Sequence, residues 1–174
     1  RVGKTINFGV IYGMSAFRLA RDLRIPRADA EAFISAYFRE YSGVDAFRNR
    51  IIRDAEKNGY VETIMGRRRP VRNIKSKNRT LKNAEERIAV NTPIQGSAAD
   101  IVKCAMIRVT GALSKGGLAG RLILQVHDEL ILEVPEREAK ETMALVIREM
   151  EGVLDLAAPL KVSVESGKTW GDLH

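Results

Sequence analysis

Hydrophobic residues in this chain of 174 residues follow two spacings, one helical and one alternating. Between Leu122 and Val134 two apolar runs, Leu122–Val126 and Leu130–Val134, flank His127, Asp128 and Glu129. Short runs of Leu, Ile and Val around a polar break predict two buried strands joined by a tight turn. Residues 4–14 have a helical period, and Ser15 can cap a short second helix to about Asp22. Pro26 precedes a long helical stretch over 27–57, which Ser42-Gly43 is expected to break. Asn58-Gly59 gives a turn, Tyr60–Met65 alternates as a strand, and Gly66 turns the chain into a second strand or extended arm from Arg67 to Val71. A basic loop over 72–80 leads to a long helix, about Leu81 to Leu113, that Pro93 should kink. Pro135 starts an acidic amphipathic helix over 136–151, ended by Gly152, with Ala139, Met143, Ala144, Val146, Ile147 and Met150 expected to face the sheet. Leu160–Val164 reads as a last strand. The fold class is α+β: helices first, then an antiparallel sheet with a long helix.

Composition narrows the class. No apolar run is long enough to span a membrane, and nothing at the start resembles a signal peptide. The chain begins with Arg1 and enters at once into a patterned segment, which reads as a fragment of a longer protein. The single cysteine, Cys104, lies in an apolar helical pattern and reads as a buried structural thiol in a reducing compartment. The net charge of +7 is concentrated in the middle of the chain. From Arg67 to Lys82 half of the residues are Lys or Arg and none is acidic. Such a block attracts a polyanion, most commonly nucleic acid, and a solvated, locally disordered loop would have the same composition.

Three groups of residues carry candidate chemistry. Lys4, Phe8 and Tyr12 recur every fourth residue and share a helix face, with Gly9 and Gly13 beside them. An ammonium and two aromatics in line suit a nucleotide's phosphate, sugar and base, and bare glycines leave room for a flat ligand. The same aromatics could simply pack in a core. Arg87, Asn91 and Gln95 also fall four apart, beside the small residues Gly96-Ser97-Ala98-Ala99. Asn and Gln can read base edges and Arg can hold a phosphate, whereas a polar row on a helix is also what a solvated face looks like. At the turn, Asp128 and Glu129 are hard oxygen donors of the kind Mg²⁺ takes, or solvated turn residues.

Taken together, these segments resemble the C-terminal part of the family A DNA polymerases, the bacterial DNA polymerase I type, over essentially the whole chain. Lys4-Thr-Ile-Asn-Phe-Gly-Val-Ile-Tyr-Gly-Met-Ser is similar to the family's fingers helix. Gly59-Tyr-Val-Glu-Thr-Ile-Met-Gly-Arg-Arg-Arg is similar to the passage from fingers to palm. Arg87, Asn91 and Gln95 match the long palm helix along the primer–template minor groove, and Gln125-Val-His-Asp-Glu matches the catalytic palm hairpin. The resemblance implies fingers over 1–59 and palm over 60–174, with activity in DNA replication and repair and a cytoplasmic location. It implies that Lys4 binds the phosphates of the incoming deoxynucleoside triphosphate and can act as general acid, that Phe8 packs on the deoxyribose and that Tyr12 stacks near the templating base. Asp128 would be a Mg²⁺ ligand, supported less directly by Glu129. Arg87, Asn91, Gln95 and His127 would contact primer–template DNA. The family's phosphate-binding arginine falls one position before residue 1, and its other metal-binding aspartate lies on an upstream palm strand, so association with the remainder of the polymerase is expected. These 174 residues alone are expected not to polymerise DNA. A non-catalytic nucleic-acid-binding module is the alternative, and an RNA-copying or reverse-transcribing relative is a third reading that Phe8 does not settle.

Overall fold

A computed structural model describes the backbone of residues 2–173 and the side chains of residues 6–173. It forms two units, one ending at Ser97 and the other beginning at Ala98.

The first unit is mainly helical. Helix α1 (Val2–Ile11) is followed by α2 (Ala16–Leu23), where Ser15 caps the helix by accepting from the Arg18 N–H at 3.3 Å. Helices α3 (Arg27–Glu40) and α4 (Ser42–Asn58) replace the long stretch predicted over 27–57. The break falls at Tyr41, one residue before the Ser42-Gly43 pair expected to cause it. Gly43 lies inside the first turn of α4, with nothing near the place where a Cβ would sit, so glycine does not make this break. Val10, Leu19 and Ala30 form the core under α1, α2 and α3, with Ile34, Tyr37 and Phe38 packed around it.

Gly59, at φ 76°, ends α4 and starts a short hairpin. Strand β1 (Tyr60–Glu62) pairs antiparallel with β2 (Arg68–Pro70), so the predicted strand to Met65 is three residues long. Thr63–Arg67 is instead a hydrogen-bonded turn: the Thr63 and Arg67 N–H groups donate to Arg67 O and Thr63 Oγ1, at 3.0 and 3.1 Å. The basic segment that follows is ordered. Val71 and Ile74 are buried in a second cluster with Ala55, Val61 and Ala89, while the basic side chains between and beyond them stay exposed. Asn78 caps α5 (Arg79–Asn91), so the loop ends earlier than predicted.

The long predicted helix is present but composite. Helix α5 passes through a π turn, Thr92–Gly96, into α6 (Ser97–Lys115). Pro93 lacks an N–H and its ring crowds the carbonyl four residues back. The wider π turn accommodates both, where a simple kink was expected.

In the second unit β3 (Arg121–Val126) pairs with β4 (Glu129–Glu133), with a bulge between Leu122 and Leu124. These strands are not buried as predicted. Ile123 is 55% exposed and Leu124 43% exposed. Among the described residues this sheet has two strands, and only one side is covered. A 3₁₀ turn, Glu136–Glu138, opens the acidic helix, and α7 (Ala139–Glu151) continues it to Gly152. Its buried face is Thr142, Leu145 and Val146, while Ala144 is exposed. The face packs on Val109 and Leu113 of α6 as well as on Leu132 of β4; Val146 and Met150 of the predicted set belong to it, while Thr142 and Leu145 join it and exposed Ala144 does not. Arg108 ties the two helices by hydrogen bonds to Glu149 Oε2, at 3.2 and 3.3 Å, and to the Gly152 carbonyl. Leu160–Val164 forms no ladder: its alternation suits a strand, but no other strand lies beside it among the described residues. Cys104 is half-buried rather than buried.

Candidate functional site

Lys4 lies on α1, and its side chain is outside those described. Phe8 is 49% exposed and Tyr12 half-buried, and their rings stack with centroids 6.1 Å apart and planes 12° apart. They form one continuous aromatic surface at the end of the helix. Tyr12 occupies the C-cap of a Schellman motif. The Met14 N–H donates to Gly9 O at 2.8 Å and the Gly13 N–H to Val10 O at 3.1 Å, with Gly13 at φ 80°. The two glycines are therefore explained from within the chain. Gly13 supplies the left-handed residue that the motif needs. At Gly9 a Cβ would lie 2.5 Å from Met14 Cε, so the Met14 side chain fills the space read as room for a flat ligand.

Arg87 is exposed on α5, and its Cγ lies 3.1 Å from where a Gly13 Cβ would be. This brings a residue of the predicted duplex row beside Tyr12. A cleft of about 550 Å³ opens here, lined by Val10, Tyr12, Gly13, Ser35, Phe38, Arg48, Asn83, Glu86 and Arg87 among others. Ser35, Arg48, Asn83 and Glu86 were not singled out from sequence, because each sits in an ordinary polar helical face with no motif around it. Asn91 is half-buried, and its Oδ1 is buried without a hydrogen bond. Gln95 is exposed within the π turn.

The acidic residues form a separate group in the second unit. His127 and Asp128 are the two residues between β3 and β4, and Glu129 is the first residue of β4, opposite Val126. His127 takes φ 52°, a conformation that usually selects glycine or asparagine. The Gln125 side-chain amide donates to the His127 carbonyl, so a side chain of β3 stabilises the turn. All three polar residues are exposed. Carboxylate oxygens suit a hard divalent cation, but a ligand set needs more than the turn supplies. Among the described residues no group of three His, Cys, Asp or Glu side chains could hold a metal ion. The donor chemistry fits, and the donor number requires oxygens from elsewhere.

The basic side chains of 67–79 line an ordered, exposed segment. Arg68 donates to Glu62 at 2.7 Å, and that hydrogen bond holds its guanidinium pKa above the usual value. Lys82 donates to Glu56 at 3.0 Å and is raised in the same way. No helix among the described residues is long and apolar enough to cross a membrane.

The mixed fold of helices and small antiparallel sheets is that of a polymerase domain, and comparison gives the family. The model for DNA polymerase family A matches residues 1–172, and the chain belongs to that family. It is 48% identical over 174 residues to DNA polymerase I of Treponema pallidum, covering all of this chain and 18% of the relative. It is 45% identical over 170 residues to the thermostable DNA polymerase I of Thermus aquaticus, covering 98% of this chain and 20% of that protein. The chain thus spans about a fifth of the length of these relatives. A solved structure, the POL domain of Pol1 from M. smegmatis in complex with DNA primer-template and dNTP, matches with a TM-score of 0.95 and 43% identity. That match covers 99% of this chain and 30% of the solved one.

Proposed function

We propose that this chain is the fingers and palm portion of a DNA polymerase that synthesises DNA 5′ to 3′ on a template by nucleotidyl transfer, in replication and repair in the cytoplasm. The observation that carries the reading is the whole-chain likeness, at 43% identity, to a polymerase domain whose title names primer-template and dNTP. In this reading residues 1–59 belong to the fingers and 60–174 to the palm. Lys4 neutralises the phosphates of the incoming nucleotide and can protonate the pyrophosphate leaving group. The stacked rings of Phe8 and Tyr12 offer one face to the sugar and one to the templating base. Arg87, Asn91, Gln95 and His127 contact the duplex, and the exposed basic segment adds sequence-independent attraction.

Asp128 would hold Mg²⁺ through a carboxylate oxygen, with Glu129 in support. When bound, Mg²⁺ stabilises charge on the attacking and leaving oxygens. Asp128 and its neighbours present their donors on an exposed turn, and partner oxygens come from the remainder of the polymerase chain. The isolated 174 residues therefore do not extend a primer, and robust extension by this chain would refute that statement. In the full-length parent, Asp128→Ala should abolish extension while primer–template binding persists. Unchanged extension would favour the non-catalytic DNA-binding reading, which the pinned basic segment also supports.

A further inference from the structure

The turn between β1 and β2 is fastened to the π turn through one serine and one glycine. The Ile64 N–H donates to Ser97 Oγ at 2.8 Å, and the same hydroxyl donates to the Pro93 carbonyl. Serine on a helix commonly spends its hydroxyl on the carbonyl four residues back. Ser97 does that and also accepts from a backbone N–H 33 residues earlier in the chain. Beside it Thr63 is packed so closely that its Cγ2 lies 2.7 Å from where a Cβ on Gly96 would be. Ser97 is 9% exposed and Thr63 7%, so the junction is shielded from water. Gln95 and Ile94 are the exposed residues of the π turn, and in the chain both lie between the Pro93 carbonyl and the Ser97 hydroxyl that bonds it; of the two only Gln95 carries a polar side chain.

We propose that Ser97 and Gly96 are positioning residues: they seat the β1–β2 turn on the π turn and thereby fix the direction in which Gln95 presents its amide to the primer–template. The inference rests on the reading that Gln95 contacts DNA. Gly96 permits the close approach, and the Ser97 hydroxyl locks it by bonding both partners. Without the lock, the π turn loses the Ser97 bond to the Pro93 carbonyl, and Gln95 loses a fixed orientation.

The test is a double-mutant cycle in the full-length polymerase, read as the Kd for matched primer–template DNA by fluorescence anisotropy. Ser97→Ala and Gln95→Ala should each weaken binding by roughly three- to tenfold, the scale of one hydrogen bond. The double variant should bind no more weakly than Gln95→Ala alone, because Ser97 acts through Gln95. Ser97→Thr, which keeps the hydroxyl, should restore binding. Additive losses in the double variant would overturn the proposal, as would full affinity in Ser97→Ala beside a loss in Gln95→Ala. Full affinity in Gln95→Ala would remove the DNA-contact reading and the proposal together. Should Ser97→Ala not fold, Ser97→Cys, with a weaker donor of similar size, takes its place in the same cycle.

Discussion

Two hairpins in this chain are built on opposite principles. The β1–β2 hairpin is three residues a side and mostly polar, yet it is anchored from below by Val61 and Val71 and at its tip by Thr63 and Ser97. The β3–β4 hairpin is longer and richer in Leu, Ile and Val, yet Ile123 and Leu124 lie open and its tip carries exposed charge. Hydrophobic content alone therefore does not say which hairpin is buried. What decides is whether a neighbouring element supplies a surface. For β1–β2 that surface is α4, α5 and the π turn. For β3–β4 it is the cluster around Leu132 on one side only. Under the proposed function, an anchored hairpin would hold a basic surface at fixed register against DNA, and an acidic turn that takes up a metal ion would have to stay accessible.

The largest effect expected is the contrast between one substitution in each hairpin. Val71 is 1% exposed within the cluster of Ala55, Val61, Ile74 and Ala89. Val71→Asp buries an unpaired carboxylate and should cost upwards of about 3 kcal/mol in urea denaturation of this chain. Ile123→Asp adds the same charge at a position that is 55% exposed and should cost below about 1 kcal/mol. Equal losses would erase the distinction between the two hairpins.

A smaller effect isolates the tip of β1–β2. Gly96→Ala forces a Cβ against the Thr63 methyl, and overpacking of this kind costs roughly 1–3 kcal/mol. Thr63→Ser removes that methyl and keeps the Oγ1 that accepts from the Arg67 N–H. The pair Gly96→Ala/Thr63→Ser should then be more stable than the sum of the single changes predicts, by denaturant midpoint. Strict additivity would mean that the close approach is not what glycine serves here.

Much of this was legible in the residues, and the exceptions share a cause. Local signals worked: Ser15 capped a helix, Asn58-Gly59 and Gly66 turned the chain, Gly152 ended α7 and Pro93 disturbed a long helix. Exposure did not follow from local pattern, because burial of Leu122–Val126 depends on what else packs against the sheet. The alternation in Leu160–Val164 likewise suits a strand whose partner no local pattern names. What lies against the glycines at 9 and 13 was not legible for a related reason. A bare helix face looks the same whether a ligand or a side chain of the chain itself meets it, here Met14 at Gly9 and Arg87 at Gly13. Of the site, the residue types and their order were readable from motifs. The cleft beside Arg87 was not, since Ser35, Arg48 and Asn83 come together only through the packing of separate helices.

Acidification should separate the hairpins next. Hydrogen bonds from Arg148, and then the bonds and charge of Arg108, hold the Glu149 carboxyl below its ordinary value of 4.5, against an opposing effect of burial. A carboxyl lowered on folding contributes stability that is complete above its unfolded value and is lost as pH falls through the folded one. Below about pH 4.5 the tie between α6 and α7 should therefore weaken. Amide exchange in β4, corrected for intrinsic rate, should accelerate there more than in β1, because Leu132 packs in the cluster that this tie braces. Equal acceleration in both would show that Glu149 does not brace the β3–β4 side.

The smallest effect compares like with like. Each hairpin carries one arginine directly opposite a glutamate: Arg68 faces Glu62 at 2.7 Å, and Arg121 faces Glu133 at 2.6 Å. Both pairs are exposed, so neither anchors its hairpin, and both are weakened by salt. The difference between them is Tyr60, whose ring centroid lies 4.5 Å from the Arg68 guanidinium carbon. An arginine stays charged across the usable pH range, so salt rather than pH is the lever that tells the two apart. Arg68→Gln should lower the melting temperature more than Arg121→Gln at low salt. In about 1 M salt, where the screening length is near 3 Å, the loss from Arg121→Gln should vanish. A residual loss from Arg68→Gln should survive, because contact with the ring face is short-ranged and partly dispersive. Two equal losses that disappear together would reduce the Tyr60 contact to coincidence and leave buried Val61 and Val71, with the Ser97 bond at the tip, as what anchors the first hairpin.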